Sequence, residues 1–99
     1  MVTIGTMSFP PQSAKEVGKC FMELSPVPDY ITMKGPYVHG VKGEGIQSTI
    51  LYEFDRSRMA EAFENVSNRY VAYHGVAGLT YAVNVCLEAQ EALKMVGLA

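Results

Sequence analysis

His39 and Glu53 are the two side chains of this sequence best suited to acid–base work. His39 lies two residues after Tyr37, on the same face of an expected strand and beside the turn that holds Gly40, Gly43 and Gly45. A neutral imidazole there can bind a ligand or shuttle a proton near pH 7, and a hydrogen-bonded histidine at a strand end is the plain structural account. Glu53 stands between Tyr52 and Phe54. A mid-strand carboxylate is unfavourable unless it is paired or faces a polar cavity. Lys34 and Arg56 are its candidate partners. General acid–base catalysis needs a positioned base with a pKa near the working pH, which makes His39 with Glu53 the candidate catalytic pair. The chain has six tyrosines and no tryptophan. Tyr37, Tyr52 and Tyr81 are the candidate ligand-binding residues, since a phenol offers an apolar body and a hydroxyl. Tyr70 and Tyr73 fall on a helix stripe and suit core or interface positions. His74, just before Gly75, places favourable charge at a helix C-terminus.

Other chemistries find little footing. Cys20 and Cys86 are far apart in sequence with no CxxC, and are expected to be reduced, buried, small apolar residues. The spacing of the two histidines and Glu53 does not argue for a metal. Gly40, Gly43 and Gly45 join two strands and do not open a helix, so no dinucleotide-cofactor loop is expected. Lys42-Gly43-Glu44-Gly45 faintly echoes an RNA-recognition motif, but Ile46, Gln47 and Ser48 follow where stacking aromatics are needed. Eight basic residues spread along a chain of net charge −2 make nucleic acid a poor partner. No apolar run approaches the ~20 residues of a membrane span, and the first residues lack an export signal; a cytoplasmic location is expected.

The elements that must position these residues follow from spacing. With 99 residues, one α+β domain over 1–99 is expected. Residues 2–9 read as a strand stopped by Pro10-Pro11. Ser13 with Glu16 three residues on forms a capping box for a helix whose inner face holds Ala14, Val17, Phe21 and Leu24. Pro26 and Pro28 end that helix. A second strand is expected over 30–41, with Gly35-Pro36 marking an edge or a bulge. Residues 46–54 form a third strand. Asp55 caps a second helix with an apolar stripe of Met59, Ala62 or Phe63, Val66, Tyr70 and Tyr73, ended by Gly75. Residues 79–87 make a fourth strand and 88–96 a short helix with Ala89, Ala92, Leu93 and Val96 inward. The order β-α-β-β-α-β with right-handed crossovers gives the ferredoxin-like arrangement, a four-stranded antiparallel sheet with two helices on one face.

The strand faces carry a second message. A sheet with helices on one side and water on the other alternates cleanly between apolar and polar. Here Ile46, Ser48, Ile50 and Tyr52 oppose Gln47, Thr49, Leu51 and Glu53. Similarly Leu79, Tyr81, Val83 and Val85 oppose Thr80, Ala82, Asn84 and Cys86. The second face is small, aromatic and mostly uncharged, and only 18 % of the chain is charged. Two copies stacked sheet to sheet would cover that face and leave a partly polar cavity between them, so a homodimer is expected.

The chain resembles the dimeric α+β barrel superfamily, and within it an uncharacterised bacterial and archaeal group. The residues that carry the likeness are Pro10-Pro11, Phe21, Gly35-Pro36-Tyr37-Val38-His39-Gly40, Tyr52-Glu53-Phe54-Asp55 and Glu88-Ala89-Gln90-Glu91-Ala92-Leu93. The resemblance implies short ferredoxin-like domains paired through their sheets, with ligands between sheet and helices or within the barrel. It includes cofactor-free monooxygenases, haem-degrading oxygenases, lactone isomerases and proteins without known chemistry. The absence of tryptophan departs from the haem-degrading branch. Two functions are therefore expected to compete. One is a dimeric module binding a small, partly aromatic molecule or a partner in a pocket on the sheet. The other is a cofactor-independent monooxygenase or isomerase using His39 with Glu53 or a tyrosine.

Overall fold

The computed structural model describes residues 1–98. Their order is β1 (Val2–Phe9), a 3-10 turn (Pro11–Ser13), α1 (Ala14–Glu23), β2 (Thr32–Val41), β3 (Gly45–Glu53), a second 3-10 turn (Arg56–Arg58), α2 (Met59–Val71), β4 (Thr80–Cys86) and α3 (Ala89–Met95). The four strands form one antiparallel sheet in the order β2-β3-β1-β4.

Parity decides which side chains meet. In β1 burial alternates strictly, so Thr3, Met7 and Phe9 face the helices while Val2, Ile4, Thr6 and Ser8 face away. The register pairs Gly5 with Ile50 and Val83, and Met7 with Ser48 and Tyr81, which carries the same inner face across β3 and β4. The core is built there from Met7, Phe9, Ile50 and Tyr52 of the sheet against Val17, Ala62, Val66 and Tyr70 of the helices.

The turns follow their chemistry. Gly45 ends the β2–β3 hairpin at φ 100°, and a Cβ there would come 2.6 Å from the Phe9 carbonyl oxygen, so the position is closed to other residues on both counts. The expected bulge at Gly35-Pro36 is present: the β2–β3 register shifts between Lys34 and Tyr37. Asp55 accepts hydrogen bonds from the Ser57 backbone N–H (2.9 Å) and hydroxyl (2.7 Å), capping the 3-10 turn that leads into α2.

Three local expectations are corrected. Ser13 caps nothing with its side chain. Its buried hydroxyl donates instead to the Ala77 carbonyl (2.7 Å), tying the start of α1 to the loop before β4. The capping box belongs to α3, where Glu88 and Glu91 exchange side-chain and backbone hydrogen bonds. Nor does α3 turn an apolar face inward: Leu93, Met95 and Val96 are exposed and the helix has no buried residue. It stands largely clear of the body, and the radius of gyration, 15.0 Å, exceeds the ~13 Å of a compact chain this size. Cys20 and Cys86 are free and only half-buried.

Candidate functional site

A cavity of about 270 Å³ lies between α1 and the β2–β3–β1 side of the sheet. That is just below the ~300 Å³ at which small-molecule pockets usually begin. Met7, Phe9, Ile46 and Ile50 line the sheet side, and Val17, Gly18 and Phe21 line it from α1. Gly18 is an exposed member of this lining, and a Cβ built there meets nothing within 4 Å. Glycine inside a helix costs roughly 0.5–1 kcal/mol relative to alanine.

The polar groups of the cavity come from Ser48, Tyr52, Arg69, Tyr70 and Tyr73. The Tyr52 and Tyr70 hydroxyls lie 3.5 Å apart, and both side chains are buried. Burial is the main cause that pushes the Tyr73 hydroxyl up to about 12, and it raises Tyr70 further still, helped by the hydrogen bond between Tyr70 and Tyr52. The positive charge of Arg69 opposes both shifts without cancelling them. These phenols are therefore neutral donors and acceptors at physiological pH. None of the residues lining the cavity is His, Asp or Glu.

Tyr70 reaches its place because β1 has no side chain at Gly5. A Cβ at Gly5 would fall 2.5 Å from Tyr70 Cζ and closer still to its hydroxyl. Tyr70 also stacks on Tyr81 (ring centroids 5.4 Å apart) and tilts against Tyr73 (6.1 Å). Arg69 is tied down as well, with Nη1 donating to the Ser25 carbonyl at 2.6 Å and Nη2 lying 3.8 Å from Met33 Sδ.

The residues expected to form one site divide between the two faces of the sheet. Tyr52 lines the cavity. Tyr81 shares that face but lies outside the lining, half-exposed, in a 2.8 Å hydrogen bond with His74 Nε2. This bond gives His74 a partner that helix-end charge alone does not describe. Tyr37 and His39 are exposed on the opposite face. Glu53 shares their face and pairs with Lys34 at 2.7 Å, an ion pair that raises the Lys34 pKa, first through the hydrogen bond between them. Arg56, the other candidate partner, lies near Glu91 instead (3.9 Å). His39 is opposite Gln47 in the ladder and Glu53 opposite Thr32. Six residues of β3 at ~3.3 Å each separate those rungs, about 20 Å, so His39 and Glu53 do not meet within one chain.

Sequence reasoning missed Arg69, Gly5 and Gly18. A lone glycine in an otherwise regular strand or helix is the available signal for a close approach or a void. Arg69 gives none, because a single cation on a helix is the ordinary mark of a solvated face.

Among the described residues no helix is long and apolar enough to cross a membrane, and no group of three His, Cys, Asp or Glu side chains is placed to hold a metal ion. No protein-family model and no curated protein matches the chain. Among solved structures, a tripeptidase from Staphylococcus aureus subsp. aureus Mu50 superposes with a TM-score of 0.47 at 13 % identity, over 99 % of this chain and 35 % of that one.

Proposed function

We propose that the chain is a ferredoxin-like domain of the dimeric α+β barrel kind, which pairs with a second copy through its open sheet face and binds a small, partly aromatic molecule beneath α1. The cavity carries this proposal: about 270 Å³, apolar on most sides, with tyrosine hydroxyls and one guanidinium at its polar end. The strand order β2-β3-β1-β4, with α1 and α2 on one face, supports the ferredoxin-like arrangement. The open face supports pairing. Val2, Ile4 and Leu51 are only half-buried there, Tyr37 is exposed, and the Lys34–Glu53 pair adds no net charge to repel a second copy. The two free thiols support a reducing, cytoplasmic setting.

Binding is favoured over catalysis by the chemistry of the lining. Hydroxyls held protonated at neutral pH can orient a ligand but cannot take a proton from it. The test is fluorescence titration with 2-naphthamide, a neutral two-ring probe, together with sedimentation equilibrium at micromolar protein. The expected Kd is on the order of 0.1 mM. Gly18→Leu, which adds a side chain at a lining position with room for it, should weaken it at least tenfold while circular dichroism and melting are retained. Unchanged affinity in Gly18→Leu, or no binding at millimolar probe, refutes the cavity as a ligand site. A monomer in the centrifuge refutes the paired sheets.

A further inference from the structure

Resting on the cavity as a ligand site, we infer that its natural occupant is an acid, a small aromatic carboxylate whose anionic head is held by Arg69. The guanidinium is the one formal charge among the residues that line an otherwise apolar and phenolic space. It has five N–H donors in a planar fork suited to a carboxylate. One nitrogen is committed to the Ser25 carbonyl, and another faces only a thioether sulfur, a weak acceptor. Nε is buried and has no partner. Among the described residues no carboxylate pairs with Arg69; Lys34, Arg56 and Arg58 take the side-chain ion pairs. A half-buried cation with an orphan donor is costly unless an anion completes it. The Tyr70 and Tyr73 rings beside it complete a site with an aromatic wall and an anion-binding corner.

A matched pair of probes tests this: 2-naphthoate against 2-naphthamide, which differ in the charged head and share the ring system. The full chain should bind the acid about tenfold or more tightly than the amide. In Arg69→Gln that preference should collapse to near unity. Because Arg69 also holds Ser25, a second measurement uses the unmodified protein. The Nε–H resonance of Arg69, assigned by its loss in Arg69→Lys, should move further on adding the acid than on adding the amide; equal shifts overturn the role of Arg69. Equal affinity for acid and amide overturns the carboxylate and leaves the cavity standing. Binding of neither probe overturns both. An acid preference that survives Arg69→Gln overturns the role of Arg69.

Discussion

Replacing Gly5 by alanine should destabilise the protein, although alanine normally improves a strand. The gain from removing a glycine is about 0.5–1 kcal/mol of unfolded-chain entropy. Against it stands the new methyl group, whose Cβ would lie 2.5 Å from Tyr70 Cζ and 2.9 Å from Cε2, where ordinary contacts are 3.4–4 Å. The strand cannot yield, because β1 is central and Gly5 is in register with Ile50 on one side and Val83 on the other. Tyr70 must move by about an ångström, and in doing so it disturbs its stack on Tyr81 and its 3.5 Å contact with Tyr52. Overpacking of this kind costs about 1–3 kcal/mol, so the net loss is about 1–2 kcal/mol. Urea unfolding at one fixed protein concentration measures it, and with a slope near 1.5 kcal/mol/M the midpoint falls by about 1 M. The decisive step is to repeat the substitution in a Tyr70→Leu background. Leucine has no atoms at the Cζ and hydroxyl positions, so Gly5→Ala should there become neutral or stabilising, a coupling of about 1–3 kcal/mol. A cost for Gly5→Ala that is the same in both backgrounds would show that Tyr70 is not what excludes a side chain at this position.

Thr3 is fully buried on the inner face of β1 with its hydroxyl unpartnered, so Thr3→Val should raise stability by about 1 kcal/mol in urea unfolding. A loss of stability would mean the hydroxyl has a bonding role. The raised pKa values of Tyr70 and Tyr73 set an alkaline limit. Their neutral forms are favoured by folding, so that stabilisation is complete below pH ~10, where unfolded tyrosines are still protonated, and is lost as pH rises toward and beyond 12. Absorbance titration near 295 nm should resolve a late-ionising fraction that merges with the rest in denaturant. A single transition near pH 10 in the native protein would refute the burial argument.

The architecture was legible because most of it is local. Alternation in β1 and β3, the glycines between β2 and β3, Pro26 and Pro28 after α1, and Asp55 before α2 each act within a few residues. The exceptions are instructive. Ser13-x-x-Glu16 satisfies a capping-box pattern, yet the Ser13 hydroxyl bonds to Ala77, a partner remote in sequence that no local rule exposes. Apolar spacing in α3 predicts a buried face, but periodicity tells only which residues share a side, not whether anything covers it. The candidate site was legible only in part, for the same reason. Tyr52 was found because large aromatics in a strand are rarely idle. Tyr37 and His39 group with it in sequence because a sequence does not say which of two adjacent strands shares a parity, whereas Tyr81 shares the parity of Tyr52 and still falls outside the lining. The cavity itself depends on the absent side chain at Gly5 and on where Arg69 turns after the helix is packed.

The irregularity in β2 limits how these sheets can grow. β2 forms one border of the sheet, and its ladder is interrupted between Lys34 and Tyr37, with Pro36 offering no N–H at all. An incoming strand would find that row of donors and acceptors broken, which is how natural proteins blunt edges that would otherwise template fibres. β4 forms the other border of the sheet. Two chains joined along β4 by a two-fold axis would carry the irregular, proline-bearing β2 at each outer end, which works against further edge-wise addition.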